Sequence, residues 1–264
     1  MSRTLKLVSA VLVAVLAPFM VSAQINFPKT NYYLGMGDSW AAGEGALPVT
    51  SGYVYQLYDH GVFGSKQQTD FANIGMRGSR TWELLQHQVP QALCTEPAQR
   101  PRVVTITSGG NDFLEGDTNV PAIAARVVQA IHLLLNNDDP AYVPTPVIDP
   151  VRLVPCRALS NVTILVGNYL RIPHPEPAIA ALLDAALVGY DQALRFLLAT
   201  QLHVPDGSRV VVVDTYTPSV GHDNLVTISR RLGYSGPFNF DFHPTNYGHA
   251  FIAQQFAEAW KGLQ

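Results

Sequence analysis

Five short runs along the chain are rich in β-branched and apolar residues: 32–36, 70–74, 102–107, 161–166 and 209–214. Two of them contain runs that are apolar or β-branched throughout, Val103-Val104-Thr105-Ile106 and Val210-Val211-Val212-Val213. Such runs, without alternation of polar positions, predict strands covered on both faces, as in a parallel sheet. Between and after the strands lie four stretches with helical character: 79–88, 120–136, 177–201 and 245–263. The third owes its helical character to its alanines and leucines, and Thr245 is placed to cap the fourth. Strands alternating with helices predict a doubly wound α/β sheet. Residues 137–155, rich in Pro and Asp, and 216–240, rich in Gly, Pro and Ser, break the rhythm and read as long loops. Loops of that length in compact domains often carry function.

The first residues follow a different pattern. Arg3 and Lys6 precede an apolar run over 7–20, and Val21-Ser22-Ala23 then supplies small residues. A charged start, a short apolar core and a small-residue cleavage site predict a secretory signal peptide over 1–23 and a mature domain over 24–264. The apolar run is shorter than the ~20 residues a spanning helix requires, and Pro18 interrupts it. No other stretch is apolar enough to span a bilayer. In the oxidising compartment that secretion implies, the two cysteines, Cys94 and Cys156, are expected to form one disulfide.

Composition narrows the function classes. The chain has 264 residues, 47% of them hydrophobic and 14% charged, with a formal net charge of −3. That is enough for one sizeable core and excludes extended disorder. No stripe of Lys and Arg is present, so nucleic acid is not an expected partner. Cys/His zinc spacings, HExxH and a P-loop are absent, so no metal or cofactor is expected.

In open parallel sheets, ligands bind beyond the carboxyl ends of the strands. Four polar, glycine-containing clusters fall there or on the C-terminal loop. After the first strand comes Gly35-Met36-Gly37-Asp38-Ser39-Trp40, where glycines permit a sharp turn that presents the Ser39 hydroxyl. After the second comes Asn73-Ile74-Gly75-Met76-Arg77-Gly78-Ser79, where Gly78 is placed to offer a backbone N–H. After the third comes Ser108-Gly109-Gly110-Asn111-Asp112, where the Asn111 amide is a donor for a developing oxyanion. Near the C-terminus lies Asp241-Phe242-His243-Pro244-Thr245, where Pro244 biases His243 toward extended geometry. Each cluster alone has an ordinary structural explanation: a helix-capping serine, a glycine turn, an Asx turn, a surface histidine. The surface reading applies more readily to the other seven histidines, His249 among them.

Together, in this order, the clusters resemble the four sequence blocks of the SGNH hydrolases, also called the GDSL lipase/esterase family. Gly37-Asp38-Ser39-Trp40 is similar to the first block, with Trp where the name motif has Leu. Asn73 to Gly78 is similar to the second, Gly109-Gly110-Asn111-Asp112 to the third, and His243-Pro244 to the histidine block. The resemblance runs from about Tyr32 to the C-terminus. It implies a three-layer α/β/α fold of flavodoxin type, with a parallel five-stranded sheet in the order 2-1-3-4-5. It also implies metal-free ester or thioester hydrolysis of a small-molecule or lipid ester. Ser39 would be the nucleophile, His243 the general base, and Ser39, Gly78 and Asn111 the oxyanion hole. Asp38 and Asp112 read as turn-holding residues. One position departs from the pattern: the family's Asp three residues before the histidine is Phe240 here. Asp241 stands two residues before it and, in an extended segment, points the same way as His243. Either Asp241 or a backbone carbonyl then orients the ring. The α/β-hydrolase elbow G-x-S-x-G is not matched, because Ala41 replaces its second glycine. A carbohydrate O-deacetylase, or a non-catalytic secreted binding protein on the same scaffold, are the other readings.

Overall fold

The structure, a computed structural model, describes residues 31–67, 69–94, 100–230 and 240–264. The expected signal peptide and the start of the mature chain lie outside the described residues. Five strands form the sheet: β1 Asn31–Gly37, β2 Thr69–Asn73, β3 Val103–Thr107, β4 Thr163–Gly167 and β5 Arg209–Val213. All pairs are parallel and the order is β2-β1-β3-β4-β5. Each strand lies within a residue or two of its expected position. The apolar run of β3 is buried on both faces, as its pattern predicts. The similar run of β5 is not: Val210, Val211 and Val212 are half-buried, because β5 is a sheet edge.

The helices are α1 Ser39–Ala42, α2 Tyr53–Asp59, α3 Thr81–Glu83, α4 Val89–Leu93, α5 Gly110–Leu114, α6 Val120–Asn136, α7 Pro177–Gln201 and α8 Asn246–Lys261. A π-helical turn, Leu84–Gln88, joins α3 to α4. The β1-to-β2 connection runs toward one edge of the sheet, and the later connections run toward the other. Right-handed crossovers therefore put α2 on one face and α4, α6 and α7 on the opposite face. The packing agrees: α2 meets α8, whereas α6 meets α7 and α4. The helices expected over 120–136 and 177–201 form over those residues. Thr245 caps α8 by accepting a hydrogen bond from the Gly248 N–H. The helix expected over 79–88 starts later, at Thr81, because Glu83 reaches back to the Arg80 N–H at 2.9 Å and fixes Arg80 as the cap.

Cys94 and Cys156 form a disulfide with a sequence separation of 62. It ties the end of α4 to the segment after α6. A cross-link closing a loop of that size contributes about 4 kcal/mol through the unfolded chain. Residues 137–155 are irregular apart from one bridge, Ile148 to Pro155. They are ordered around the buried Asn137, whose amide donates to the Val147 and Cys156 carbonyls while its oxygen accepts from the Val147 N–H.

The expectation of a loop over 216–240 is corrected. Strand β6, Val226–Arg230, lies inside it and pairs antiparallel with β7, Phe240–Pro244. This ribbon, outside the main sheet, carries the C-terminal cluster, so His243 sits on a strand and not on a loop. β7 alternates cleanly: Phe240, Phe242 and Pro244 are buried, while Asp241 and His243 share the other, half-buried face. Its phenylalanines supply the apolar face, which period-two alternation turns into a half-buried strand.

Candidate active site

The site is built at the carboxyl end of β1. Gly37 ends the strand with φ +126°, and a Cβ there would lie 1.8 Å from the Thr107 carbonyl oxygen. Only glycine fits this approach of β1 to β3. Both backbone groups of Gly37 are held by one side chain. The fully buried Gln88 accepts from the Gly37 N–H at 2.7 Å and donates to the Gly37 carbonyl at 2.8 Å. The next residue, Asp38, donates its own N–H to Thr107 O and caps α1 through the Trp40 N–H. Its other carboxylate oxygen takes a short hydrogen bond from the Tyr169 hydroxyl. Burial pushes the Asp38 carboxyl up to about 7, against the lowering effect of the bonds from Tyr169 and Trp40. Asp38 thus ties the turn and α1 to β3 through Thr107 and to the segment after β4 through Tyr169, which is a structural role.

Ser39, buried to 5% exposure, opens α1 with its Oγ 3.2 Å from Nε2 of His243. A narrow pocket is lined by both residues and by Asn111, Gly110, Leu114 and Asp241. Asn111 donates one amide N–H to the Ser79 carbonyl at 2.9 Å. That bond fixes the amide plane, and a carboxamide carries a second N–H for another acceptor. Asp112 faces away from the pocket and locks the β3 turn to α3. It accepts from the Thr81 N–H at 2.8 Å, the Thr81 hydroxyl at 2.6 Å and Arg126 at 3.0 Å. Gly78 does not line the pocket. It sits exposed on the adjoining Met76–Ser79 turn with φ +69°, one residue before the carbonyl that holds Asn111. The structure thus brings Ser39, Asn111, Asp241 and His243 to one pocket and leaves Gly78 outside its lining.

His243 is half-buried in a charged setting. Burial lowers its affinity for a proton, Glu44 and then Asp241 raise it, and Arg77 lowers it. The balance falls below the ordinary histidine value, so at neutral pH the ring is a free base. Asp241 and His243 lie on the same face of β7, as extended geometry requires.

Four contributors were not legible as site residues. Gln88 has no motif. Tyr169 links the β1 and β3 turns, donating to Asp38 and accepting from the Gly110 N–H at 2.8 Å. Glu44, with Oε2 3.4 Å from His243 Nε2, is paired with Arg77. His249 corrects the surface reading: it is fully buried. Its Nδ1 accepts from the Tyr53 N–H at 3.2 Å, so its Nε2–H donates to the Glu44 carbonyl at 2.9 Å. The signal for His249 was the helical stripe it shares with Ile252, Ala253 and Phe256, which is the buried face of α8.

Beside the Ser39 pocket lies a small apolar cavity, partly open to solvent. Phe113, Ile123, Leu183, Ala186 and Leu187 are among its walls, and Gly110, Tyr169 and Phe242 line both spaces. Among the described residues, no group of three or more His, Cys, Asp or Glu side chains is placed to hold a metal ion.

The profile of the GDSL-like lipase/acylhydrolase family matches residues 36–251. No curated protein matches the chain. Among solved structures, a member of the lipolytic protein G-D-S-L family from Veillonella parvula superposes with a TM-score of 0.56 at 17% identity, covering 87% of this chain and 98% of that one. An acetyl esterase variant bearing an acetate ion gives 0.52 at 16% identity, covering 89% and 100%. An alpha/beta hydrolase enzyme from the metagenome of Lake Arreo, Spain, gives 0.51 at 18% identity, covering 90% and 99%. At these identities the superpositions establish a shared fold.

Proposed function

Because the chain belongs to the GDSL-like lipase/acylhydrolase family, we propose that it is a secreted serine hydrolase that cleaves carboxylic esters through an acyl-enzyme. The observation that carries this reading is the 3.2 Å approach of Ser39 Oγ to His243 Nε2 in a pocket that Asn111 also lines. On this reading Nδ1 of His243 holds the ring proton, oriented by Asp241 or by a backbone carbonyl, and Nε2 accepts from the Ser39 hydroxyl. As Oγ bonds to the ester carbon, its proton passes to Nε2 and the carbonyl electron pair moves onto oxygen. The Ser39 N–H, which a helix's first turn leaves without an intrahelical partner, receives that oxyanion with the Gly78 N–H and the second N–H of Asn111. The tetrahedral intermediate collapses as the Nε2 proton goes to the leaving alkoxide. Water, deprotonated by the same nitrogen, then releases the acid.

The apolar lining of the cavity next to Gly110 supports an apolar acyl group longer than acetyl lying along it, and so favours an esterase or lipase over a carbohydrate O-deacetylase. Secretion is supported by the residue pattern over 1–23 and by the disulfide, which suits an oxidising compartment. Among the described residues no helix is long and apolar enough to cross a membrane. On this reading 1–23 is removed and 24–264 is the working domain.

Turnover of p-nitrophenyl esters from acetate to decanoate tests the proposal. Ser39→Ala and His243→Ala are expected to lose at least ~10³-fold in kcat. Asn111→Ala is expected to lose ~10²- to 10³-fold. Full turnover in Ser39→Ala overturns the proposal. Asp241→Asn at full rate assigns the orienting role to the backbone.

A further inference from the structure

The loop after α1 brings a second carboxylate to the histidine. Glu44 lies between two glycines in left-handed conformation, Gly43 at φ +88° and Gly45 at φ +90°. A Cβ on Gly45 would lie 2.2 Å from the Pro244 carbonyl oxygen and 2.8 Å from His243 Cβ, so the loop passes against β7 only because that position has no side chain. The Glu44 backbone is fixed on both sides. Its N–H donates to the Ser39 carbonyl at 2.9 Å, and its carbonyl accepts from the buried His249 at 2.9 Å. The carboxylate is 20% exposed and Oε2 is 3.4 Å from His243 Nε2, the same nitrogen that Ser39 Oγ approaches. Arg77, 76% exposed on the turn after β2, pairs with the other oxygen of that carboxylate.

The chemistry of Nε2 decides what Glu44 does there. In the neutral ring, Nε2 carries a lone pair, accepts from Ser39, and has nothing to offer a carboxylate. In the imidazolium it carries a proton, and Glu44 is then an anionic acceptor within reach. We infer that Glu44 is a positioning residue that acts through His243. Its carboxylate accepts the Nε2–H of the imidazolium formed when Ser39 is deprotonated, and Arg77, by sharing that carboxylate, limits how firmly the proton is retained. The inference rests on the proposed Ser39–His243 chemistry. Both halves of the pair are needed. Without Glu44 the imidazolium is stabilised only from the side of Asp241. Without Arg77 the carboxylate holds the proton that the leaving alkoxide must receive.

The charged and titratable groups around His243 are Glu44 from the loop after α1, Arg77 from the turn after β2, Asp241 from β7 itself and His249 from α8. His249 is neutral above about pH 4, because burial lowers it and its bond to Glu44 O raises it only in part. Glu44 and Arg77 act on His243 with opposite signs, and the test uses that opposition.

The experiment follows the ring protons of His243 by NMR against pH, in Ser39→Ala protein, where turnover plays no part. In parallel it follows the acidic limb of kcat/KM in protein with Ser39 intact. Glu44→Gln is expected to move both midpoints to lower pH and to lower kcat by about tenfold, the loss of one partly exposed charge-assisted hydrogen bond. Arg77→Gln is expected to move both midpoints to higher pH. A merely structural role for Glu44 would lower stability and rate without moving the titration in opposite directions in the two variants. Unmoved midpoints, or shifts of the same sign, overturn the inference and leave the hydrolase proposal standing. Full turnover in Ser39→Ala removes the hydrolase proposal whatever the titration shows.

Discussion

The Nε2–H of His249 donates to the Glu44 carbonyl at 2.9 Å while its Nδ1 accepts from the Tyr53 N–H at 3.2 Å, so one buried imidazole joins α8, α2 and the loop beside the candidate nucleophile. A ring that bonds through both nitrogens in this way must be neutral, since protonation of Nδ1 would set a donor against a donor.

That requirement makes stability depend on pH. Burial lowers His249 to about 4 in the folded chain, against about 6.5 when unfolded. Between these values the unfolded state binds more protons, so stability rises with pH across the window and is lost as pH falls from 6.5 toward 4. The loss amounts to about 3 kcal/mol for this residue. Buried Asp38, raised to about 7, slopes the other way over much of the same range, so a variant comparison isolates the histidine. In urea unfolding at pH 7 and pH 4, His249→Gln is expected to lose about 3 kcal/mol less on acidification than the natural chain. Parallel losses in the two proteins would contradict the assignment.

Gln88 holds the turn that carries Ser39. Its carboxamide satisfies the N–H and the C=O of Gly37 together, at 2.7 and 2.8 Å, from full burial. Gln88→Leu leaves the buried Gly37 N–H without a partner, at about 1–3 kcal/mol, while the Gly37 carbonyl keeps its bond from the Met76 N–H at 3.0 Å. Thermal and urea unfolding are expected to show a loss of roughly 1–3 kcal/mol, with a further fall in turnover as Ser39 loses its register. An unchanged unfolding midpoint would show that Gly37 finds other partners.

The strands were legible in the sequence because parallel β3, covered on both faces, has only β-branched residues and no charged or amide side chain to obscure its pattern, and because glycines and Asn mark where strands end. The ribbon of β6 and β7 was hidden. Its five-residue strands sit among Gly, Pro and Ser, and β7 carries Asp241 and His243 on its open face, so the stretch reads as polar loop. Ser39, Asn111 and His243 were visible as a set because each lies in a glycine- or proline-marked cluster at an element's end. Gln88 and Tyr169 were not, because their partners are backbone groups and a carboxylate 51 and 131 residues away. Glu44 had only its flanking glycines to mark it.

The apolar cavity gives a prediction about substrate. Ala186 and Leu187 on α7 face Ile123 on α6 across it. Ala186→Phe is expected to fill this space and lower kcat/KM for decanoyl esters by roughly 10- to 200-fold, the range that shape changes in an apolar pocket produce. Acetyl ester turnover is expected to stay within about threefold, since a short acyl group does not reach the cavity. An equal loss on both substrates would place the acyl chain elsewhere.

The most direct test of the central claim is covalent. A serine-reactive phosphonate, followed by intact mass and peptide mapping, is expected to add one adduct, on Ser39. Labelling is expected to slow by at least ~10³-fold in His243→Ala, where no base takes the hydroxyl proton. An adduct on another residue, or equal labelling rates with and without His243, would contradict the account.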